Sequence, residues 1–101
     1  AYKMMSKKKG NCYYHASAFA VLAKRATGLP VRVCWGTSRV FNAKKAQEHA
    51  WVEIKLADGS WHIYDPNGAR FSSRKDVETY GQKASALKSV YKAAKTSELY
   101  L

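Results

Sequence analysis

From His49 to Leu56 the chain alternates, with Ala50, Val52, Ile54 and Leu56 on one side and His49, Trp51, Glu53 and Lys55 on the other. A period of two marks a strand whose faces see different surroundings. Asp58-Gly59 follows, then a second β-rich run, Trp61 to Asp65, closed by Pro66-Asn67-Gly68. Two such runs around a turn pair are expected to fold back as an antiparallel hairpin.

The remaining elements arrange themselves around that hairpin. Residues 1 to 10 are polar and basic and read as a lead-in or loop, and Asn11 is the expected N-cap of a helix over Cys12 to Thr27. Cys12, Ala16, Phe19, Ala20 and Ala23 form one apolar stripe on it and Tyr14, Ala18, Val21 and Leu22 a second, so burial on most sides is expected. Lys24 and Arg25 in its last turn, then Gly28 and Pro30, give the stop. Val31 to Thr37 reads as a strand and Ser38 to Gln47 as a loop. Ser73 opens a short helix to Tyr80, stopped at Gly81, and Ala84, Leu87, Tyr91 and Ala94 fall at the spacing of a final amphipathic helix. The expected architecture is α+β: a buried N-terminal helix on a small three-stranded antiparallel sheet, with a helical tail. A chain of 101 residues with 47% hydrophobic residues is expected to form one domain, 1–101.

Charge restricts the partners. Eighteen Lys and Arg (18) against 7 Asp and Glu leave a formal +11, scattered rather than blocked. Such a field attracts acidic polymers, whether nucleic acid, anionic lipid or anionic wall polymer, and the apolar runs are too short for membrane insertion. Two cysteines are too few for a disulfide scaffold. No initiator Met or signal peptide precedes Ala1-Tyr2-Lys3, which suggests an excised domain or processed product.

Three residues suggest chemistry. Cys12, expected in the first turn of the helix, gains thiolate character there from free N–H groups and the helix dipole. A thiol that transfers acyl groups needs an imidazole to take and return its proton and a group to orient that imidazole, and the hairpin makes His49 and Asp65 neighbours. Cys34, inside an apolar strand, reads as core. Cys12, His15, His49 and His62 are four possible zinc ligands, with Cys12 and His15 at i, i+3. Structural zinc sites bring close ligand pairs from two places, and His49 and His62 lack close partners, so neither metal nor cofactor is expected.

Gly10-Asn11-Cys12, the Ala-rich helix to Thr27-Gly28-Leu29-Pro30, Gly36, His49-Ala50-Trp51-Val52-Glu53 and Trp61-His62-Ile63-Tyr64-Asp65-Pro66 together resemble the transglutaminase-like core of the papain-like cysteine enzymes, over residues 10 to 66. The resemblance implies Cys12 as nucleophile, His49 as general base and then acid, and Asp65 as orienter. It implies acyl transfer to an amine, or hydrolysis, on a peptide or protein amide. Trp51, Trp61, His15 and Tyr14 become expected cleft-wall or substrate-binding residues. The backbone N–H of Cys12 is the expected oxyanion donor. The side-chain donor such families place upstream, a Trp or a Gln, is missing from residues 1 to 11, which leaves Tyr2 and Ser6. The alternative function is an inactive transglutaminase-like module that binds nucleic acid or anionic wall polymer through its charge.

Parity makes the triad testable. A two-residue Asp58-Gly59 loop would set Val52 opposite Asp65 and send Asp65 to the face away from His49. A three-residue loop, Ala57-Asp58-Gly59 with Gly59 at positive φ, sets Leu56 opposite Ser60 and Trp51 opposite Asp65. Asp65 then shares the His49 face, diagonal to it. This second register, with Asp65 hydrogen-bonded to the His49 ring, is the expected one.

Overall fold

The computed structural model describes residues 7–41, 44–66, 68 and 79–99, with side chains from Tyr14 onward. Helix α1 spans Lys7–Thr27, and strands β1 (Val31–Ser38), β2 (Gln47–Lys55), β3 (Trp61–Tyr64), β4 (Tyr80–Lys83) and β5 (Tyr91–Glu98) form one sheet in the order β4-β3-β2-β1-β5. Every neighbouring pair is antiparallel. The α+β class stands, but the three-stranded sheet becomes five-stranded and the helical tail is corrected. Where an amphipathic helix was expected over Ala84 to Ala94, only a 3₁₀ turn, Ala84–Leu87, leads into β5. Alanine-rich helical propensity is weak beside the hydrogen bonds that the open edge of β1 offers, so pairing wins. Residues 73–78 of the helix expected from Ser73 lie outside the described residues, and its expected last residue, Tyr80, opens β4.

The helix α1 begins at Lys7, four residues before the expected N-cap Asn11. Its C-terminus closes as read. Gly28 adopts φ 69° and its N–H donates to Lys24 O at 2.9 Å, while the Lys24 ammonium reaches Leu29 O at 3.1 Å. Burial is one-sided. Ala16 and Ala20 are buried with Phe19 and Ala23 against Val31, Val33, Ala50, Val52 and Ile54, whereas Tyr14, Ala18 and Leu22 are exposed. The expected burial on most sides is thus corrected, because the sheet covers only one face of the helix.

The opposite face of the sheet carries a second core of Cys34, Val40, Trp51, Ile63, Leu87, Val90 and Tyr91. Strand β2 is therefore buried on both faces from His49 to Ile54. Cys34 lies here fully buried and unbridged, and burial pushes its thiol up to about 12. No helix among the described residues is long and apolar enough to cross a membrane.

The hairpin takes the three-residue loop. Val52 pairs with Tyr64 and Lys55 with Trp61, the Leu56 N–H donates to Ser60 O at 3.1 Å, and Gly59 sits at φ 80°. A left-handed residue is cheap only as glycine, so Gly59 sets the odd parity.

His62 ties this turn to β4. Its Nδ1–H donates to Gly81 O at 2.6 Å, and its Nε2 lies 3.0 Å from Asp58 Oδ2 and 3.1 Å from Ser60 Oγ. The Gly81 carbonyl and the Asp58 carboxylate raise the His62 pKa, against partial burial and the nearby Lys83 ammonium. The Ser60 N–H, then His62 and the Ser60 hydroxyl, hold the Asp58 carboxyl well below the usual range. A raised histidine stabilises the fold fully below its unfolded pKa of about 6.5 and loses that contribution as pH rises through the folded value. A lowered aspartate contributes above about 3.9 and fades as pH falls through its folded value. The clamp is thus strongest between about pH 4 and 6.5. Denaturant midpoints should show wild type losing stability relative to His62→Gln as pH rises from 6 to 8. A difference independent of pH would contradict the clamp.

Candidate active site

Asp65 follows directly on β3, where its N–H donates to Thr79 O at 2.8 Å. Its carboxylate is fully buried and accepts three hydrogen bonds. Oδ2 accepts from the His49 ring through Nε2–H at 2.8 Å and from the Tyr91 hydroxyl at 2.7 Å, and Oδ1 accepts from the Gly68 N–H at 2.9 Å. Three donors offset the desolvation of a buried carboxylate.

The arrangement decides the tautomer. An ionised carboxylate only accepts, so the proton between Asp65 and His49 belongs to Nε2, and a neutral His49 carries its lone pair on Nδ1. The ring cannot swing. It is fully buried, edge-on to Phe41 at 5.0 Å between centroids and stacked on Trp51 at 6.0 Å. Behind it the Trp51 indole N–H donates to Glu53 Oε2 at 3.1 Å, Arg32 Nε–H donates to Glu53 Oε1 at 2.9 Å, and the Arg32 guanidinium lies 4.0 Å over the Trp61 ring. His49 is thus an oriented imidazole with its basic nitrogen directed away from the carboxylate.

The backbone places position 12 at the same end of the molecule. Helix α1 and β1 are joined by the short connector 28–30, anchored where the Lys55 N–H donates to Pro30 O at 2.9 Å, and α1 packs on β2 and β1. From Thr27 back to Cys12 is about 22 Å of helix, and from Val31 to Gly36, the partner of His49, is about 17 Å of strand. The helix packs on the sheet face of Ala50 and Val52, however, whereas the His49 ring lies on the opposite face against Phe41, Trp51 and Tyr91. The backbone thus brings position 12 to the same end of the sheet as His49 and not to the same face. The expected environment of the thiol needs correction, though. Cys12 stands in the second turn of α1, so its N–H belongs to the helix's own ladder rather than to an oxyanion hole, and the dipole effect is largely spent there.

The other expected site residues are dispersed. Trp51 is fully buried in the second core and walls no cleft. Trp61 lies at the start of β3 under Arg32, about 13 Å of strand from Asp65, so it does not line the site either. Tyr14 and His15 are exposed on α1. Tyr2 and Ser6 lie outside the described residues. His62 serves the β4 clamp, and among the described residues no three metal-ligating side chains converge.

Sequence reasoning missed Tyr91 and Gly68, which complete the shell around Asp65. Tyr91 fits a helical stripe with Leu87 and Ala94, and no spacing relates it to Asp65, 26 residues away. Gly68 had a usable signal, since Asp65-Pro66-Asn67-Gly68 is a sequence of the kind in which an aspartate commonly accepts from the N–H three residues on.

Compared with known families, residues 1–66 match the model of the transglutaminase-like superfamily. Neither the curated proteins nor the solved structures give a match.

Proposed function

Since the chain belongs to the transglutaminase-like superfamily, we propose that it carries out thiol-dependent acyl transfer or hydrolysis on a peptide or protein amide, with Cys12 as nucleophile, His49 as base and acid, and Asp65 as orienter. The observation that carries this reading is the buried His49–Asp65 pair, bonded through Nε2 so that Nδ1 remains the basic nitrogen. In the proposed cycle His49 Nδ1 takes the thiol proton as Cys12 Sγ bonds to the amide carbonyl carbon. The oxyanion is received by donors other than the Cys12 N–H, with Ser6 and Tyr2 the upstream side chains for that role. Collapse breaks the C–N bond, Nδ1–H protonates the leaving amine, and a thioester remains on Cys12. Water or a second amine, deprotonated by the same Nδ1, then attacks the thioester and releases the thiol. Tyr91 and the Gly68 N–H hold the carboxylate that holds the ring.

The pH dependence of alkylation by iodoacetamide tests this. Cys34 is buried with its pKa pushed up to about 12, so it stays silent and the signal is that of Cys12. An inflection well below the ordinary thiol value of about 8.5 is expected for a cysteine paired with imidazole. An inflection at or above that value would exclude the pairing and favour an inert basic module.

A further inference from the structure

The sheet ends in two unlike edges. β4 at one edge has four residues, with Gly81 at φ 95° among them, whereas β5 at the other runs for eight residues without a proline. Every residue of β5 after Tyr91 is exposed, and among the described residues no strand pairs with its outer side. A long open edge is a template for a further strand, because its outward N–H and C=O groups are unpaired.

Two hydrogen bonds show which groups those are. The Leu99 N–H donates to Val31 O and the Arg39 N–H to Val90 O, each at 2.8 Å. Bonding alternates along an antiparallel pair, so Lys95 and Ser97 on one side of the Ala94 bulge, and Lys92 on the other, turn their backbone groups to β1. Ala93, Thr96 and Glu98 turn theirs outward.

The bulge decides where the side chains stand. Lys92 pairs with Thr37 and Lys95 with Trp35, so the two lysines are two steps apart along β1 although three residues apart in β5. The extra residue thereby puts both ammoniums on one face of the sheet, the face on which Trp35 packs against the core under α1, about 7 Å apart along the strand. An unbulged strand would send them to opposite faces. Both are exposed, and neither forms an ion pair among the described residues. Glu98 lies on the other face, with Ala93 and Thr96.

The same lysines restrict what can fill the edge. In an antiparallel pair with β5 of a second copy the α1 faces run into each other, and the lysines of one copy meet those of the other, in a chain of formal charge +11. An extended segment with acidic residues at alternate positions fits instead. Its carboxylates stand opposite Lys92 and Lys95 while its backbone bonds to Ala93, Thr96 and Glu98.

We propose that the open edge of β5 takes up an extended acidic segment of a partner protein as a further antiparallel strand, selected by Lys92 and Lys95. This interaction goes beyond the acyl-transfer reading and does not rest on it.

The test is a titration of the ¹⁵N-labelled chain with the peptide acetyl-Thr-Val-Glu-Val-Glu-Val-Thr-amide at constant ionic strength. Saturable shifts are expected at the amides of Ala93, Thr96 and Glu98. The same peptide with glutamine for glutamate should bind about fivefold more weakly. So should the isomer acetyl-Thr-Val-Glu-Val-Val-Glu-Thr-amide, which keeps the charge but sends one carboxylate to the face of Glu98. N-methylation of the valines, whose N–H groups face the edge in this pairing, should abolish binding, and N-methylation of the glutamates, whose N–H groups face away, should not. Lys92→Gln and Lys95→Gln should each weaken binding about threefold and keep the wild-type pH profile of Cys12 alkylation. Equal binding of the two isomers, equal effects of the two methylations, or non-saturating shifts scattered over the lysines would overturn the proposal. Shifts of the same amides on concentrating the chain alone would also overturn it, by giving the edge to a second copy. None of these outcomes depends on Cys12 being reactive, so failure of the edge and failure of the acyl-transfer reading remain separable.

Discussion

Asp65→Asn is expected to lower amide turnover by about 10³- to 10⁴-fold while the chain stays folded, close to the complete loss expected for Cys12→Ala. The reason is the number of donors aimed at this side chain. The carboxylate accepts from His49, Tyr91 and the Gly68 N–H. An asparagine has only one oxygen, and the backbone N–H of Gly68 cannot turn away. If that oxygen stays with Gly68, the amide NH₂ faces His49 Nε2 and donates to it. The imidazole proton then moves to Nδ1, the nitrogen required as base. Cys12 alkylation should lose its low-pH inflection in the same variant, because the thiol has lost its proton acceptor. His49→Ala is a poorer probe, since it also empties a buried ring site between Phe41, Trp51 and Tyr91 and adds a cavity cost to the catalytic one. Wild-type turnover in Asp65→Asn with an unchanged alkylation profile would remove Asp65 from the triad.

The meeting of Asp65 with His49 rests on parity. The apolar alternation of β2, the turn residues Asp58 and Gly59 and the demand that Asp65 meet His49 were enough to select the three-residue loop, because a slip of one residue turns every side chain over. Local chemistry is legible in this way wherever partners are close in sequence. The C-terminal third was misread for the converse reason. Leu87, Tyr91 and Ala94 satisfy a helical spacing, and what makes Tyr91–Glu98 a strand is the unfilled edge of β1, more than fifty residues earlier in the chain. The same long-range pairing brings the Tyr91 hydroxyl to Asp65, so missing the strand meant missing the residue. Trp51 was misplaced because alternation separates two faces without saying that both are covered, and the cover over its face comes from Val40, Leu87, Val90 and Tyr91.

Gly36 is where that pairing can be broken at a single atom. Opposite His49 on one side and Ala93 on the other, it sits where the β1–β5 register shifts, with Trp35 paired to Lys95 and Gly36 to Ala93, so that Ala94 bulges. The bulge folds the β5 backbone over Gly36. A methyl group there would overlap Lys92 O and come within 2.8 Å of Ala94 N and 2.9 Å of Ala93 Cα. All three are main-chain atoms, so no rotamer change relieves the contact, and β5 must move away from the centre of the sheet. Gly36→Ala is therefore expected to cost about 3 kcal/mol, at the upper end for overpacking, and to lower Tm by roughly 10–20 °C in thermal melts. Gly59→Ala provides the comparison, since its Cβ meets open space and only the backbone conformation at φ 80° is strained. Its cost should be nearer 1 kcal/mol. Because the strand displaced by Gly36→Ala carries Tyr91, the same variant should weaken the hold on Asp65 and raise the inflection of Cys12 alkylation even at temperatures where it remains folded. A melt superimposable on wild type would show that β5 does not lie over Gly36, and Tyr91 would then lose its place beside Asp65.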